Sequence, residues 1–538
     1  MTTPAPDQHL QRLIASLVVV RASGHLADHQ RRYPQWELAN GELQELLALG
    51  VGGVILLGGS AAELALRTRQ LQAWASQPLL LCADVEEGVG QRFEGASWLV
   101  PPLALGRLHG REPERARALA ERYGRCCGLD SRAVGLNWVL GPVCDVNNNP
   151  ANPVINVRAW GEDPASAGAL AAAFLRGLQA TGVLGCAKHF PGHGDTTSDS
   201  HLELPLLPHS RERLEQVELP PFRQAIAAGV EAVMTGHLTL PALDPERPAT
   251  LSRAVLHRLL REQLGFEGLV VTDALVMEAI AGQYGAGEAA VLALEAGADL
   301  VLMPADARLA IEAITAAVAT GRLPLAQLEA SAARRQRALG RCAAAPPDPE
   351  RAASADLELC RELVSATLEH QGGRLGLRGD KGVNLLRLDQ ALQAPFLPAT
   401  APALGLPAAT GFQPRLMAAE TASLWSSDPE APLHLDRLEP GPVLVQLFVR
   451  GNPFRGTAGD GEPWAAALGQ LQRAGRLAGL AVYGSPYLWE SLRPLLRQGM
   501  PAAWSPGQMP LAQTVLLRQL GWDATASPGP CASGGFTN

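Results

Sequence analysis

The chain has 538 residues, which is too long for one ordinary hydrophobic core, so we expect two domains. Hydrophobic residues make up 47% of it, charged residues 18%, and the formal net charge is only -8. This balance is typical of a soluble globular protein. Nothing in it indicates a protein that binds nucleic acids or acidic surfaces.

The cysteines and the N-terminus indicate the compartment. The eight cysteines are scattered without a C-x-x-C pair, which is typical of buried thiols in a reducing environment. The N-terminal segment lacks a basic region, and its apolar run Leu17–Val20 is too short for a signal core or a membrane span. We therefore expect a cytoplasmic protein that does not bind membranes.

Short apolar runs recur along the first part of the chain, and a helical pattern follows each of them. The runs are Ile14–Val20, Gly53–Leu57, Leu79–Ala83, Gly135–Leu140, Val183–Ala187, Val230–Met234, Leu269–Thr272 and Asp299–Met303. Eight strands that alternate with helices predict an α/β fold with an N-terminal (β/α)8 TIM-type barrel. An open doubly wound sheet is the alternative interpretation of the same alternation.

A proline-rich stretch predicts the domain boundary. The helical pattern Leu325–Leu339 ends near Gly340, and the segment 343–349 contains too many prolines to continue a helix. We predict a catalytic barrel domain over residues 1–345, then a connecting helix and a C-terminal smaller α/β domain over residues 346–538. Its strands are expected near Val383–Leu388, Val443–Val449 and Leu480–Gly484, with an extended surface segment at 395–414.

The segment KHFPGHGDTTSDSH, residues 188–201, follows the fifth predicted strand and contains a lysine, three histidines and two aspartates. Proton transfer near neutral pH needs a group such as imidazole, and imidazole needs a partner that fixes its tautomer. Asp199 and His201 supply such a pair. His193 and Asp195 are expected to act as internal partners that shape the loop.

Asp273 follows the apolar Val270–Thr272 directly, so a buried strand carries a carboxylate to its own carboxyl end. Barrel enzymes place their reacting groups at that end of the strands. An aspartate at this position also suits the N-cap of the next helix, and both readings stay open.

Other charged residues follow the third and fourth predicted strands. Asp84 ends the third strand and Arg92 lies eight residues further on, a pair that can clamp sugar hydroxyls or close a loop as an ion pair. Arg158 follows the fourth strand. It either joins the same cluster or pairs with the neighbouring Glu162 or Asp163.

Four segments resemble glycoside hydrolase family 3, and within it the bacterial β-N-acetylglucosaminidases. They are KHFPGHGDT (188–196), DSH (199–201), VTDAL (271–275) and the segment 84–92. The resemblance covers residues about 10 to 340, and the C-terminal domain more loosely. The chain departs from the family pattern at 87–90, where Glu-Gly-Val-Gly replaces the usual Gly-Gly-Arg and removes a basic residue beside the sugar site.

The resemblance implies a role for each matched residue. Asp273 matches the nucleophile, His201 the general acid/base and Asp199 its partner. Asp84, Arg92, Arg158, Lys188 and His189 match the positions that hold the sugar in the -1 subsite. Such a set implies double displacement with retention, in which a carboxylate attacks the anomeric carbon and an imidazole transfers the protons.

We therefore expect an exo-acting β-N-acetylglucosaminidase that releases terminal GlcNAc from peptidoglycan (muropeptide) fragments during cell-wall recycling. The partner is a small GlcNAc-containing carbohydrate, no metal or organic cofactor is implied, and the oligomeric state is not predicted. A phosphorylase is an alternative, because a neutral imidazole repels phosphate less than a carboxylate does. Two further alternatives are another family 3 β-glycosidase and a non-catalytic sugar-binding protein.

Overall fold

The computed structural model describes residues 6–198, 204–343, 348, 350, 355–375, 381–390, 394–450 and 461–522. They form two compact units, of which the first ends at Leu359 and the second begins at Cys360. Helix Leu357–Thr367 spans this division. The boundary predicted after residue 345 lies earlier in the chain and stays a prediction.

Eight parallel strands form a barrel in the described part of the first unit. They are β1 (Val18–Ser23), β2 (Gly53–Leu57), β3 (Leu80–Ala83), β4 (Trp138–Val139), β5 (Cys186–Phe190), β6 (Ala232–Thr235), β7 (Leu269–Val271) and β8 (Val301–Leu302). One sheet has the order β4-β3-β2-β1-β8 and the other β5-β6-β7, and parallel bridges Trp138–Leu184 and Val271–Leu300 join them. Strand pairing therefore runs around a closed ring. This confirms the predicted (β/α)8 barrel and rules out the open doubly wound sheet.

The first predicted strand is wrong at its start. Ile14 and Ala15 belong to helix Pro6–Ala15, and β1 begins only at Val18. Both residues are fully buried, and a short apolar run does not distinguish a buried helical turn from a strand. The run Ile14–Val20 therefore contains the end of a helix, a turn and the start of a strand.

Helices follow the strands and cover the outside of the barrel. They are Pro6–Ala15, Asn40–Leu49, Ala61–Trp74, Leu103–His109, Pro113–Ala133, Pro164–Gln179, Arg211–Gln216, Leu219–Ala227, the π-helix Ala254–Gln263, Glu278–Tyr284, Ala286–Ala296, Ala307–Ala319 and Leu325–Leu339. Ser60, Asp163, Ser210 and Asp306 each accept a backbone N–H at the start of a helix. These caps fix where the loops at the carboxyl ends of the strands finish. In neither unit do the described residues include a helix that is long and apolar enough to cross a membrane.

Strand register aligns side chains across the first half of the barrel. Arg21 of β1 pairs with Ile55 of β2, Ile55 pairs with Cys82 of β3, and Cys82 pairs with Trp138 of β4. Partners in register point to the same face of a sheet, and so does the residue two positions along a strand. Asp84 therefore shares the face of Cys82 and Arg21, one step nearer the carboxyl ends of the strands.

The second unit is a smaller α/β domain, as predicted. Its strands are β9 (Glu369–Gln371), β10 (Gly382–Arg387), β11 (Phe412–Met417), β12 (Val443–Val449), β13 (Leu477–Gly484) and β14 (Ala502–Ser505), in the order β11-β10-β12-β13-β14-β9, with β9 alone antiparallel among the described strands. Its helices are Pro402–Ala408, Trp464–Arg473, Pro486–Leu492 and Pro510–Leu520. Apolar side chains pack on both faces of the sheet.

The extended surface segment predicted at 395–414 is wrong. Helix Pro402–Ala408 lies within it, and β11 begins at Phe412. Ala403 and Phe412 are completely buried. Proline is favoured in the first turn of a helix, where its missing N–H has no intrahelical acceptor, so Pro402 starts a helix.

Candidate active site

Lys188 is the centre of a charged cluster at the carboxyl ends of β3, β4 and β5. Its Nζ lies 2.7 Å from Oδ1 of Asp84 and 2.7 Å from Oε1 of Glu86. The lysine side chain is only 1% exposed. Removing an ammonium ion from water costs several kcal/mol unless opposite charges surround it. The two carboxylates supply that compensation and hold β5 against the end of β3.

Glu86 connects the lysine to Arg158. The arginine donates from Nε to Oε2 of Glu86 at 2.7 Å and from Nη2 to Oε1 at 2.8 Å. A third hydrogen bond runs from Nη1 to the backbone oxygen of Val154 at 3.0 Å. A two-point guanidinium–carboxylate pair fixes both planes, so the loop after β4 is held rigidly to the end of β3.

The alternative partners considered for Arg158 are wrong. Glu162 forms an ion pair with Arg107 at 3.1 Å instead. Asp163 accepts the backbone N–H groups of residues 165 and 166 as the cap of helix Pro164–Gln179. Arg158 therefore belongs to the charged cluster.

Arg92 closes the loop that begins with Asp84. Its Nε donates to the backbone oxygen of Asp84 at 3.1 Å, so the arginine fixes the path of the chain at this residue. The side chain of Asp84 remains 37% exposed, whereas that of Glu86 is 3% exposed. Glu86 is thus an internal partner, whereas part of the Asp84 side chain remains accessible.

The cluster is ionised at neutral pH. Burial by itself raises the pKa of Glu86, but the Arg158 and Lys188 cations outweigh it and hold that pKa well below its usual 4.5. Burial likewise favours the neutral form of Asp84, yet Lys188 and Arg92 lower its pKa below 3.8. Burial lowers the pKa of Lys188, but Asp84 and Glu86 reverse this and raise it above 10.5. The site therefore presents fixed charges and charged hydrogen-bond donors.

Asp145 fixes the orientation of His189. Its Oδ2 lies 2.7 Å from Nδ1 of His189, and its Oδ1 accepts the backbone N–H groups of His189 at 3.2 Å and of His193 at 2.7 Å. The carboxylate is completely buried. A neutral His189 ring that donates from Nδ1 to Asp145 would present Nε2 as an acceptor.

Asn152 holds the loop after β5 in place. Its Nδ2 donates to the backbone oxygens of His193 and Gly194, both at 2.9 Å. A Cβ at Gly194 would lie 1.8 Å from the backbone oxygen of Val146, so only glycine permits this approach of the two loops. His193 Nδ1 lies 2.7 Å from Oγ1 of Thr196, and burial lowers the pKa of His193 to about 4, so its ring is neutral.

Asp195 pairs with His209 at 2.9 Å and lies 3.5 Å from a guanidinium nitrogen of Arg213. It therefore has the kind of internal partners that the sequence predicts for it. Asp199 and His201, the predicted acid/base pair, lie outside the described residues.

Asp273 follows β7 and Thr272, at the carboxyl end of the barrel. It is not a helix cap, because the next helix begins at Glu278 after Met277, without a side-chain cap. Oδ1 of Asp273 accepts the backbone N–H of Ala274 at 2.7 Å. The buried His237 after β6 lies 3.1 Å from the backbone oxygen of Ala274, through Nε2, and steadies the same turn.

Asp273 and the charged cluster both lie towards the carboxyl ends of the barrel strands. Burial raises the pKa of the Cys186 thiol on β5; Lys188 opposes this rise, and the negative charges of Asp84 and Asp273 add to it. The charges of all three side chains therefore act on Cys186. In the described part of the chain, no group of three or more His, Cys, Asp or Glu side chains is arranged to hold a metal ion.

The sequence analysis missed four residues of this site: Glu86, Asp145, Asn152 and His237. For three of them, the position in the sequence after a predicted strand was a usable signal. Glu86 lies two residues after Asp84 and shares its strand-end loop, Asp145 follows the short apolar stretch after the fourth strand, and His237 follows the sixth. A wider form of the rule applied to Asp273, which takes in polar residues up to six positions past the carboxyl end of a barrel strand, includes these positions as well.

Family models match most of the chain. The model described as "Glycosyl hydrolase family 3 N terminal domain" matches residues 10–338. The model described as "Bacterial Glycosyl hydrolase family 3 C-terminal domain" matches residues 377–521. The two matches fall in the barrel unit and in the smaller unit.

Named relatives share the barrel portion. The chain is 36% identical over 286 residues to beta-hexosaminidase A of Pseudoalteromonas piscicida, a match that covers 49% of this chain and 47% of that protein. It is 36% identical over 282 residues to a beta-hexosaminidase of Thiobacillus denitrificans, covering 52% and 78%. The chain thus spans about half the length of the first relative and most of the second.

A solved structure matches both units. It is a glycoside hydrolase family 3 beta-N-acetylglucosaminidase from Paenibacillus sp. str. FPU-7, with a TM-score of 0.76 and 29% sequence identity. The match covers 97% of this chain and 98% of the other. The two-domain architecture is therefore shared along nearly the whole length.

We predict that Glu86→Gln lowers the free energy of unfolding by about 3–5 kcal/mol, because Lys188 and Arg158 lose a buried counter-charge. The folded pKa of Glu86 lies below 4.5, so its ionic contribution is present above that pH and is lost as the pH falls below it. The variant should therefore also lose stability less steeply in acid. Urea unfolding across the acid-to-neutral range measures both effects.

Glu114→Gln is the matched control. Glu114 pairs with Arg117 on the surface, and its side chain is 87% exposed, so we expect a change below about 1 kcal/mol. An E86Q protein with wild-type stability and wild-type acid sensitivity would contradict the electrostatic role assigned to Glu86.

Proposed function

The chain belongs to glycosyl hydrolase family 3, and we propose that it is a glycoside hydrolase, specifically a retaining exo-β-N-acetylglucosaminidase. The observation that carries the proposal is the buried charged cluster of Asp84, Glu86, Arg158 and Lys188 at the carboxyl ends of the barrel strands. A sugar ring presents adjacent hydroxyl groups that need both donors and acceptors at fixed positions. The cluster supplies both without rearrangement.

In this proposal the half-exposed carboxylate of Asp84 accepts hydrogen bonds from sugar hydroxyls, while Arg158, Lys188 and Arg92 complete the -1 subsite. Nε2 of His189, the acceptor atom of the ring that Asp145 orients, accepts a further hydroxyl hydrogen. Glu86 acts behind them and keeps the two buried cations in place. A ligand then meets a preorganised set of polar atoms.

Asp273 is the proposed nucleophile. Its carboxylate attacks the anomeric carbon, the glycosidic bond breaks, and a glycosyl ester forms. His201, oriented by Asp199, donates a proton to the leaving oxygen and afterwards takes one from the water that hydrolyses the ester. Two residues of the proposed -1 subsite, Asp84 and Lys188, act electrostatically on Cys186 together with Asp273, which supports a shared site.

We further propose that the substrate is a GlcNAc-containing muropeptide fragment and that the enzyme acts in the cytoplasm. The substrate class rests on the resemblance of the KHFPGHGDT and DSH segments to bacterial β-N-acetylglucosaminidases. The described cysteines are free thiols, and most of them are buried, which suits a reducing compartment.

The first experiment measures cleavage of aryl β-GlcNAc and aryl β-glucoside, each with and without phosphate, and identifies the sugar product. We expect free GlcNAc, released at a rate that does not depend on phosphate. GlcNAc 1-phosphate would identify a phosphorylase, preference for the glucoside would identify another β-glycosidase, and no turnover would favour a sugar-binding protein.

Asp273→Asn should reduce turnover by roughly 10³-fold or more, because a neutral amide does not form the glycosyl ester. Asp306→Asn is the matched control. Asp306 also follows a barrel strand, but it caps helix Ala307–Ala319, and asparagine caps equally well. Steady-state rates on aryl β-GlcNAc compare the two, and near-wild-type activity of D273N would refute the nucleophile assignment.

His201→Ala should slow substrates with poor leaving groups by roughly 10²-fold or more, and activated aryl glycosides much less, since the latter need little protonation. The measurement is kcat/KM across a series of aryl leaving groups. His257→Ala, at a partly exposed histidine that pairs with Glu262 on a helix, is the control. A uniform loss across the series would argue that His201 positions the substrate and does not transfer protons.

A further inference from the structure

The loop after β1 carries two aromatic side chains that form a continuous wall. The ring centroids of Tyr33 and Trp36 lie 5.7 Å apart with an angle of 32° between the planes. The guanidinium carbon of Arg21 lies 5.3 Å from the Tyr33 centroid and 5.6 Å from the Trp36 centroid. One cation thus contacts both rings, and both rings are only partly buried.

Hydrogen bonds to the buried residue Glu37 and to the backbone of β1 hold this loop in position. Glu37 is 1% exposed, and its Oε2 accepts the backbone N–H of Tyr33 at 3.0 Å. Arg31 donates to the backbone oxygen of Glu37 at 2.7 Å, and the N–H of Leu38 donates to the backbone oxygen of Arg21 at 3.1 Å. The aromatic wall is therefore preformed, and little conformational entropy is lost when a ligand packs against it.

The wall lies beside the proposed -1 subsite. Arg21 points to the same face of the sheet as Cys82 and Asp84, because β1, β2 and β3 are in register. Burial lowers the pKa of Arg21, while the carboxylates of Glu37 and Asp84 oppose this and Arg92 adds to it. The charges of Asp84 and Arg92 therefore both act on the Arg21 guanidinium. Because Arg21 contacts both rings and shares the sheet face of Asp84, it connects the aromatic wall to the end of the third strand.

We propose that Tyr33 and Trp36 form a +1 subsite that stacks against the sugar ring on the leaving-group side of the scissile bond. The inference rests on the glycosidase function proposed above. An exo-acting enzyme binds the terminal sugar innermost, and the buried polar cluster suits that sugar. The next ring lies nearer solvent, and the apolar C–H face of a pyranose packs well on a partly exposed aromatic surface.

The test compares two GlcNAc glycosides with alkyl leaving groups, methyl β-GlcNAc and the β-1,4-linked GlcNAc disaccharide. Only the disaccharide places a ring at the +1 position. In Trp36→Ala the ratio of kcat/KM for the disaccharide to that for the methyl glycoside should fall roughly tenfold, and Trp36→Phe should restore most of the ratio. A loss that is equal for both substrates, or an unchanged ratio, would overturn the proposal.

Trp74→Ala is the matched control. Trp74 is also partly buried and has the Arg67 guanidinium 5.5 Å from its ring, but it ends helix Ala61–Trp74, which runs away from the carboxyl ends of the strands. Its substrate ratio should equal that of the wild type, and a tenfold fall there would show that tryptophan loss acts through general destabilisation. A wild-type enzyme that cleaves neither glycoside would instead refute the proposed function, independently of Trp36.

Discussion

The buried ammonium of Lys188 is the constraint on which the candidate site depends. A cation at 1% exposure requires compensation, and the two carboxylates at 2.7 Å provide it from the end of a different strand. One of these carboxylates also holds Arg158 at two points, so the ends of β3, β4 and β5 are joined through three charged side chains. The need to compensate the buried Lys188 charge therefore fixes the relative positions of these three strand ends.

The backbone around this cluster is held by a second set of buried groups. Asp145 accepts two backbone N–H groups and one imidazole, and Asn152 donates to two backbone oxygens of the neighbouring loop. Loops that are fixed in this way present their side chains with little freedom. Such rigidity suits a site that acts by preorganised electrostatics, because its dipoles and charges need not reorient during a reaction.

The mouth of the barrel changes in character from the inside outward. Innermost are buried ion pairs, next comes the partly exposed carboxylate of Asp84, and the aromatic wall of Tyr33 and Trp36 follows on the β1 loop. Arg21 connects the last two, since it contacts both rings and lies on the face of the sheet that Asp84 shares. Under the proposed function this gradient matches a substrate whose terminal sugar is fully enclosed and whose remainder stays near solvent.

The sequence by itself determined the barrel and the candidate residues. The alternation of apolar runs with helical patterns shows which segments are buried strands and which are helices with one buried face. This signal lies in the spacing of apolar residues within each short segment, so it can be read from the sequence. The positions of Asp84, Lys188 and Asp273 at strand ends follow from the same runs. The start of β1 and the helix at 402–408 were missed because short apolar or proline-containing stretches fit more than one local structure.

Only the tertiary structure decided which charges pair. Arg158 binds Glu86, 72 residues away, and not its near neighbours Glu162 or Asp163. Lys188 reaches Asp84 across 104 residues, and Asp145 orients His189 across 44. Asp273 proved not to cap a helix because the next helix begins five residues later, at Glu278. Such pairings depend on how closure of the barrel brings distant strand ends together, and local sequence periodicity carries no information about that closure.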